Sequence, residues 1–400
     1  MDRRRFLQST LALAGAGLNW RLWAAPNATT DTRLMVVFLR GAYDALSLLS
    51  PYSEDFYYES RPTIAISRPD QGNHLAGLPL DADWALHPAL ADSLLPLYQS
   101  GQIAFIPFFG TDFVSRSHFQ AQDWIEAGFT GDARSSLATG FLNRLLSRLG
   151  GTAQAVSFTQ TVPIVLRGDR PVANTPVHLP AGQSLDEQIE TLLLQMYEKH
   201  ALRPLVEEGL GLRHEMSQEL MDEMQSASRS ALPAGGFALE AGRIGHFMGE
   251  HKQYAVAFLD VGGWDTHANQ GGGQGMLANR LTNLSTGLAA MAEALGNEWR
   301  KTVVVVLSEF GRTFRENGTK GTDHGHGTVM WLLGGGIKGA RIAGEQMRLR
   351  VGKLHEDRDI PVLNDYRNVL AGIFGRMYGL GKTDLNLIFP GCSPVDLALL

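Results

Sequence analysis

Six short apolar runs rich in β-branched and aromatic residues recur along the chain, at Leu34–Leu39, Ile103–Phe109, Ala155–Phe158, Tyr254–Leu259, Thr302–Leu307 and Val329–Leu333. Each is bounded by glycine, proline or polar residues, and each is nearly continuous rather than alternating, which is the pattern of strands buried on both faces. Between the runs the period changes. Leu281, Leu284, Leu288, Met291 and Leu295 are spaced three and four apart, which predicts an amphipathic helix over Leu281–Trp299 leading into the strand at Thr302. Residues 185–224 are rich in Glu and Leu and read as helices broken near Arg203-Pro204 and between Gly209 and Gly211. Strand–helix–strand alternation implies parallel pairing, so the expected fold class is α/β, a mostly parallel sheet sandwiched between helices. The helical stretch from about Leu185 to Gly249 is expected to lie on that sheet as an insertion or at its edge, with residues 31–400 forming a single domain.

The amino terminus breaks this pattern. Arg3-Arg4-Arg5-Phe6-Leu7 precedes an apolar stretch from Leu11 to Leu18 and then Ala24-Ala25-Pro26. A twin arginine, a short apolar segment and small residues near its end make a Tat signal peptide over residues 1–26, with the Tat translocase as partner during export and a periplasmic destination. The apolar stretch falls well short of the ~18–20 residues of a spanning helix. Asn19 and Arg21 interrupt it further, so no stable membrane span is expected.

Composition narrows the chemistry. With 44% hydrophobic and 19% charged residues, the 400-residue chain is neither disordered nor a polytopic membrane protein. Its 35 Lys and Arg against 41 Asp and Glu give a net charge of -6, and no basic block follows the first residues, which disfavours nucleic acid as a partner. The single cysteine, Cys392, excludes an internal disulfide framework and any cysteine-rich zinc or iron–sulfur site. A metal site in this chain must therefore be built from carboxylates and some of its 12 histidines.

Ligands of parallel α/β sheets bind beyond the carboxyl ends of the strands, where loops from several strands converge. The polar residues at these positions are Arg40-Gly41-Ala42-Tyr43-Asp44 after the first run and Thr111 to His118 after the second. The fourth run is followed by Asp260 and then Gly263-Trp264-Asp265-Thr266-His267, and the fifth by Ser308-Glu309-Phe310-Gly311-Arg312-Thr313; Asp323-His324-Gly325-His326-Gly327 precedes the sixth. Asp265 and His267, two residues apart beside glycines, can turn toward one cation, and the two imidazoles of His324 and His326 next to Asp323 have few structural uses. Asp44 suits an Asx turn as well as a metal contact. Ser117 suits a helix N-cap as well as a nucleophile beside a metal, the two roles being compatible. Glu309, directly after an apolar strand, requires either Arg312 or a cation as partner.

Taken together, Phe38-Leu39-Arg40-Gly41-Ala42-Tyr43-Asp44, Ser115-Arg116-Ser117-His118-Phe119, Gly263-Trp264-Asp265-Thr266-His267, Ser308-Glu309-Phe310-Gly311-Arg312-Thr313 and Asp323-His324-Gly325-His326-Gly327 resemble the exported bacterial family called domain of unknown function 1501. That resemblance spans nearly the whole mature chain. The family in turn is distantly similar to the alkaline phosphatase and sulfatase superfamily, which implies a metal-supported nucleophile acting on phosphate or sulfate esters. Carried over by residue, the resemblance implies Asp44, Asp260 or Asp265 with His267, Glu309 and His326 as metal ligands and Ser117 (or Ser115) as nucleophile; Asp323 and His324 join the ligand candidates on their own spacing, and Arg312, with Arg116 or Arg40 as further candidates, is the catalytic residue expected to grip anionic oxygens by paired hydrogen bonds. At the fourth element Glu309 and Phe310 stand where the superfamily pattern has Asp and His, so one imidazole is missing there and His324 is the available substitute. The implied cofactor is one or two divalent ions, zinc or manganese, and the implied substrate an anionic small-molecule or glycan ester. The alternative is a non-catalytic descendant that keeps the fold and serves as a binding or assembly factor in the cell envelope.

Overall fold

In the computed structural model the described residues are 31–129, 137–176, 187–211 and 237–400. The segment expected to be the Tat signal, residues 1–26, lies outside them, as do parts of the stretch expected to be a helical insertion. All six apolar runs are strands: β1 (Arg33–Leu39), β2 (Ile103–Gly110), β3 (Gln154–Ser157), β5 (Tyr254–Val261), β6 (Thr302–Ser308) and β7 (Thr328–Leu333). Three two-residue strands, β4 (Ala173–Asn174), β8 (Arg341–Ile342) and β9 (Asn364–Asp365), complete a sheet in the order β8-β2-β7-β6-β1-β5-β3-β4, with β9 also pairing β2.

Side chains alternate between the two faces of the sheet. Along β1, Met35, Val37 and Leu39 point into one core and Leu34, Val36 and Phe38 into the other. Both faces are covered, which explains why the strands read as unbroken apolar runs. Helix α1 (His118–Ala127) begins beyond the carboxyl end of β2. Helices α4 (Phe237–Glu250) and α5 (Met276–Leu295) lie over the Met35 face. Helices α2 (Phe141–Arg148), α6 (Tyr366–Tyr378) and α7 (Lys382–Ile388) lie over the Leu34 face. Helix α3 (Glu187–Met196) falls, like α4, within the stretch expected to be an insertion. Among the described residues no helix is long and apolar enough to cross a membrane.

Two features differ from the expectation. The helix expected to reach Trp299 ends at Leu295, and Gly296–Lys301 form a tighter 3-10 turn before β6. More consequentially, β7 runs antiparallel to both its neighbours, β2 and β6, while β6, β1, β5, β3 and β4 pair parallel. The link from Ser308 to Thr328 therefore returns across the edge at which β6 ends instead of crossing over to the opposite edge, as a parallel neighbour would demand. Residues just before β7 consequently share that edge with residues just after β1, β2, β5 and β6.

Candidate metal centre

Three of these loops converge. His118 opens α1, Asp265 and His267 follow β5, and Asp323 and His324 precede β7. The Nε2 atom of His324 lies 3.0 Å from Nε2 of His118, 3.1 Å from Nε2 of His267 and 3.1 Å from Oδ1 of Asp265. Oδ2 of Asp265 is 3.5 Å from His118 Nε2, and its Oδ1 is 2.9 Å from His267 Nε2. Ligands held about 2.0–2.1 Å from a tetrahedral zinc ion stand about 3.3–3.4 Å apart, so this spacing is on the scale of a coordination shell. Ligand atoms of His118, Asp265 and His324 form a group of the size that can hold one ion, with His267 alongside Asp265 and His324.

The outward nitrogens decide which way the lone pairs point. Nδ1 of His118 faces Oε1 of Glu309 at 2.8 Å, Nδ1 of His324 faces the Arg116 carbonyl at 2.7 Å, and Nδ1 of His267 faces Oδ1 of Asp323 at 3.3 Å. Each of these partners is an oxygen that accepts, so a neutral ring carries its proton on Nδ1 and turns the Nε2 lone pair inward. Three inward lone pairs beside a carboxylate repel one another unless a proton or a cation lies between them. The site thus has the donor set, the spacing and the outer acceptors that a divalent ion requires.

Local electrostatics differ from ring to ring. The hydrogen bond to Glu309 raises the His118 pKa above the usual imidazole value, while burial, as the largest cause, lowers that of His324. Burial is the largest influence and works to raise the Asp265 pKa, but the hydrogen bond from Arg312 Nη1, 2.6 Å from Oδ1, together with the charges of Arg312, His267 and His118 outweighs it, and the carboxyl titrates below its ordinary range. Asp323 is likewise lowered, first by the Asn317 amide that donates to it at 3.0 Å. The chain reversal that presents His324 is narrow. Arg312 and His324 pair as an antiparallel bridge, and a Cβ on Gly325 would sit 2.4 Å from the Arg312 carbonyl carbon, so only glycine fits there.

Several expected ligands are engaged elsewhere. Asp44 is 1% exposed and accepts from Nη1 and Nη2 of Arg61 at 2.5 and 3.0 Å, from Ser47 at 2.7 Å and from Gln270 at 2.6 Å. Burial alone would raise its pKa, but Arg61 holds it below the usual range. Its lone pairs are spent on this buried pair, and it stands apart from the cluster. Asp260 binds Nε of Arg40 at 2.6 Å. Glu309 sits behind His118 rather than among the ligands. The His326 ring packs on His355, centroids 4.7 Å apart, and burial pushes its pKa down to about 4. Of the acids and imidazoles expected from sequence, Asp265, His267, Asp323 and His324 are the ones brought together, the first and last as direct candidates, His267 beside them and Asp323 as an outer acceptor.

Ser117 occupies the N-cap position of α1, but its hydroxyl makes no capping bond, and its own N–H donates to Ser115 Oγ at 3.2 Å. Arg312 is 1% exposed; Nη1 reaches Asp265, Nε reaches the Thr322 hydroxyl at 3.2 Å, and Nη2 has no hydrogen-bond partner. Arg116 extends to Glu356 at 3.0 Å and Arg40 to Glu126 at 2.8 Å, so both candidate anion-binding arginines already carry carboxylate partners. His118 is the residue that the sequence left without a role. Its position directly after Ser117, at the first turn of a helix following a strand, is the signal that could have found it. Phe310 packs against the His118 ring, centroids 4.9 Å apart, in a small apolar cluster with Ala42 and Ala121.

No curated protein matches the chain. Among solved structures, it is similar to a protein in the alkaline phosphatase superfamily from Vibrio parahaemolyticus, with 11% identity, 86% of this chain and 71% of that chain covered and a TM-score of 0.35. It is also similar to the lipoteichoic acid synthase LtaP from Listeria monocytogenes, with 10% identity, 92% and 76% covered and a TM-score of 0.38. Likeness at this level says nothing of activity or ligand. The family match is of another order: a model described as "Protein of unknown function (DUF1501)" matches residues 31–388, and the chain belongs to that family.

Proposed function

We propose that the protein is an exported, metal-dependent hydrolase of phosphate or sulfate esters that works with a single zinc or manganese ion. The observation that carries this reading is the convergence of the His118 and His324 Nε2 atoms on Asp265, at 3.0–3.5 Å, with both Nδ1 atoms held by outer acceptors. One ion is favoured over two because Asp44, the other strand-end acid that could anchor a second, is closed by Arg61. Two imidazoles and a carboxylate leave coordination positions open, the arrangement of catalytic rather than structural sites. When bound, the ion supplies Lewis acidity and neutralises charge on an ester oxygen.

The chain's own residues do the rest. His118, Asp265 and His324 hold the ion, with His267 at its side. Arg312 is proposed to grip an anionic oxygen: its Nη2 is buried without a hydrogen-bond partner, and a guanidinium suits the geometry of phosphate and sulfate. Ser117, one residue from His118, carries the nucleophilic hydroxyl. Export rests on Arg3-Arg4 and the apolar segment behind them. A second reading, a metal-keeping binding or assembly factor without turnover, draws on Phe310, whose ring covers one face of His118.

Elemental analysis of the purified mature protein, and of protein reconstituted with zinc, manganese or iron, tests the centre. About one equivalent of ion in wild type and none in His324→Ala is the expected result; wild type that retains no transition metal overturns it. A panel of aryl phosphates, phosphodiesters and sulfates then separates the two readings, since metal without turnover selects the binding factor. Fractionation of cells expressing the full chain, with and without Arg3→Lys and Arg4→Lys together, tests export.

A further inference from the structure

We infer that Glu309 is a positioning residue for the centre, fixing the tautomer and place of His118 instead of touching the ion; the inference rests on the proposed metal site and goes beyond it. Glu309 is 1% exposed and lies at the carboxyl end of β6. Its Oε1 accepts from the Gly41 N–H at 2.8 Å, from Nε2 of Gln122 at 2.9 Å and from His118 Nδ1 at 2.8 Å, while the Ser308 hydroxyl, 2.7 Å from Oε2, shares its one hydrogen between Oε2 and the Leu39 carbonyl at 2.5 Å. Three donors crowd Oε1, the oxygen that faces His118, and a carboxylate oxygen has only two lone-pair sites, so that atom has none left for a cation.

The donors come from three separate elements, and that is what gives the residue its leverage. Gly41 belongs to the turn after β1, Ser308 ends β6, and His118 and Gln122 stand one turn apart on the same face of α1. One buried carboxylate thus pins the amino-terminal turn of α1 against the sheet edge while holding the His118 proton on Nδ1. A histidine so held presents Nε2 as a fixed lone pair and loses little freedom when an ion binds. Loss of such an outer partner typically weakens metal affinity 10–100-fold. Sequence alone made Glu309 a ligand candidate, since a strand-end acid looks the same whether it meets a metal or a ring N–H.

The test compares wild type with Glu309→Gln, which keeps the size of the side chain and one acceptor oxygen but loses the charge, and with Ser308→Ala, which removes a donor to Glu309 far from the ring. Zinc affinity is read by competition with a chromophoric chelator, cobalt(II) spectra report the ligand field, and long-range proton–nitrogen NMR reads the His118 tautomer in metal-free and zinc-loaded protein. Glu309→Gln should bind zinc about 10–100-fold more weakly, shift the cobalt absorption and mix the two His118 tautomers already in the metal-free state. Ser308→Ala should leave the cobalt spectrum and the tautomer unchanged even if it melts earlier. Folded Glu309→Gln with wild-type zinc affinity, or with His118 still protonated only on Nδ1, overturns the inference. Should wild type bind no metal, the metal reading fails separately, and the metal-free tautomer still decides the role of Glu309.

Discussion

The sharpest separation between acids held in structural pairs and acids proposed as ligands concerns Asp44. Both it and Asp265 follow parallel strands, and both were expected on a metal, yet the structure gives them opposite surroundings. Asp44 and Arg61 are 1% and 0% exposed, and the guanidinium grips the carboxylate through both Nη atoms. Arg61 also donates from Nε to the Phe314 carbonyl at 2.7 Å and from Nη2 to the Thr313 carbonyl at 2.8 Å, so the pair ties the turn after β1 to the loop that follows β6. Asp44→Ala leaves a buried guanidinium without its counter-charge, and the loss of one partner from such a pair costs about 3–5 kcal/mol. The hydrogen bonds from Ser47 and Gln270 go with it. Against a typical total of about 5–15 kcal/mol, that is a large fraction of the stability. Urea unfolding of zinc-loaded wild type and variant measures the difference, and elemental analysis of the folded variant at low temperature should still find about one equivalent of zinc. Removing both partners, Asp44→Ala with Arg61→Ala, should cost clearly less than the sum of the single changes, because each single change strands a charge that the other would have met. An Asp44→Ala protein that keeps its stability to within about 1 kcal/mol but loses zinc would refute the assignment and return Asp44 to the ligand set.

Two further outcomes follow from local geometry. Gly41 has φ 114, and a Cβ there would lie 2.9 Å from the Asp265 nitrogen and 3.1 Å from that of Trp264; Gly41→Ala should lower stability by more than about 1 kcal/mol and weaken zinc binding, and unchanged melting and affinity would contradict it. His87 is buried with its pKa pushed down to about 4 by desolvation, its Nδ1 accepting from the Ala89 N–H at 3.0 Å and its Nε2 facing the Gly272 carbonyl at 3.0 Å. Its folded pKa lies below the ordinary 6.5, so the stability it contributes is present above pH 6.5 and is lost as the pH falls toward 4. The shift corresponds to roughly 3 kcal/mol. Unfolding free energies at pH 7 and pH 4.5 should therefore differ more in wild type than in His87→Gln, and an equal pH dependence in the two would rule this out.

The strands were legible because helices on both faces bury every side chain of β1, β2 and β6, and such strands leave unbroken apolar runs in the sequence. The mostly parallel pairing was legible too, from the alternation of strands and helices, but the direction of β7 was not, because direction is carried by the connections. The stretch between Ser308 and Thr328 holds five glycines and no helical period, which is hard to reconcile with a helical crossover, and β7 turned out antiparallel. Within the site, acid and imidazole pairs set among glycines, Asp265 with His267 and Asp323 with His324, marked themselves. Single carboxylates did not. Asp44 meets Arg61 17 positions along, Asp260 meets Arg40 220 positions back, and Glu309 meets His118 191 positions back. A sequence pattern records which acids end strands but not which of them a distant arginine or ring N–H will claim.

The reversal of β7 also explains which residues come together as candidate ligands of the proposed centre. Had β7 run parallel to β6, the residues before it would lie at the opposite edge of the sheet, a strand length away from Asp265. Because it runs antiparallel, the loop 309–327 both leaves and returns at the ligand edge, and it delivers Glu309, Arg312, Asp323 and His324 to the same place. Of these, His324 faces the other imidazoles directly, Arg312 and Asp323 hold Asp265 and His267, and Glu309 holds His118. One connection therefore supplies a candidate ligand and an outer partner for each of the remaining three, while β2 and β5 need contribute only the opening of α1 and the turn at Asp265. A strand whose direction breaks the parallel pattern thus lets a single connection bring a candidate ligand and the groups that hold the other three to one end of the sheet.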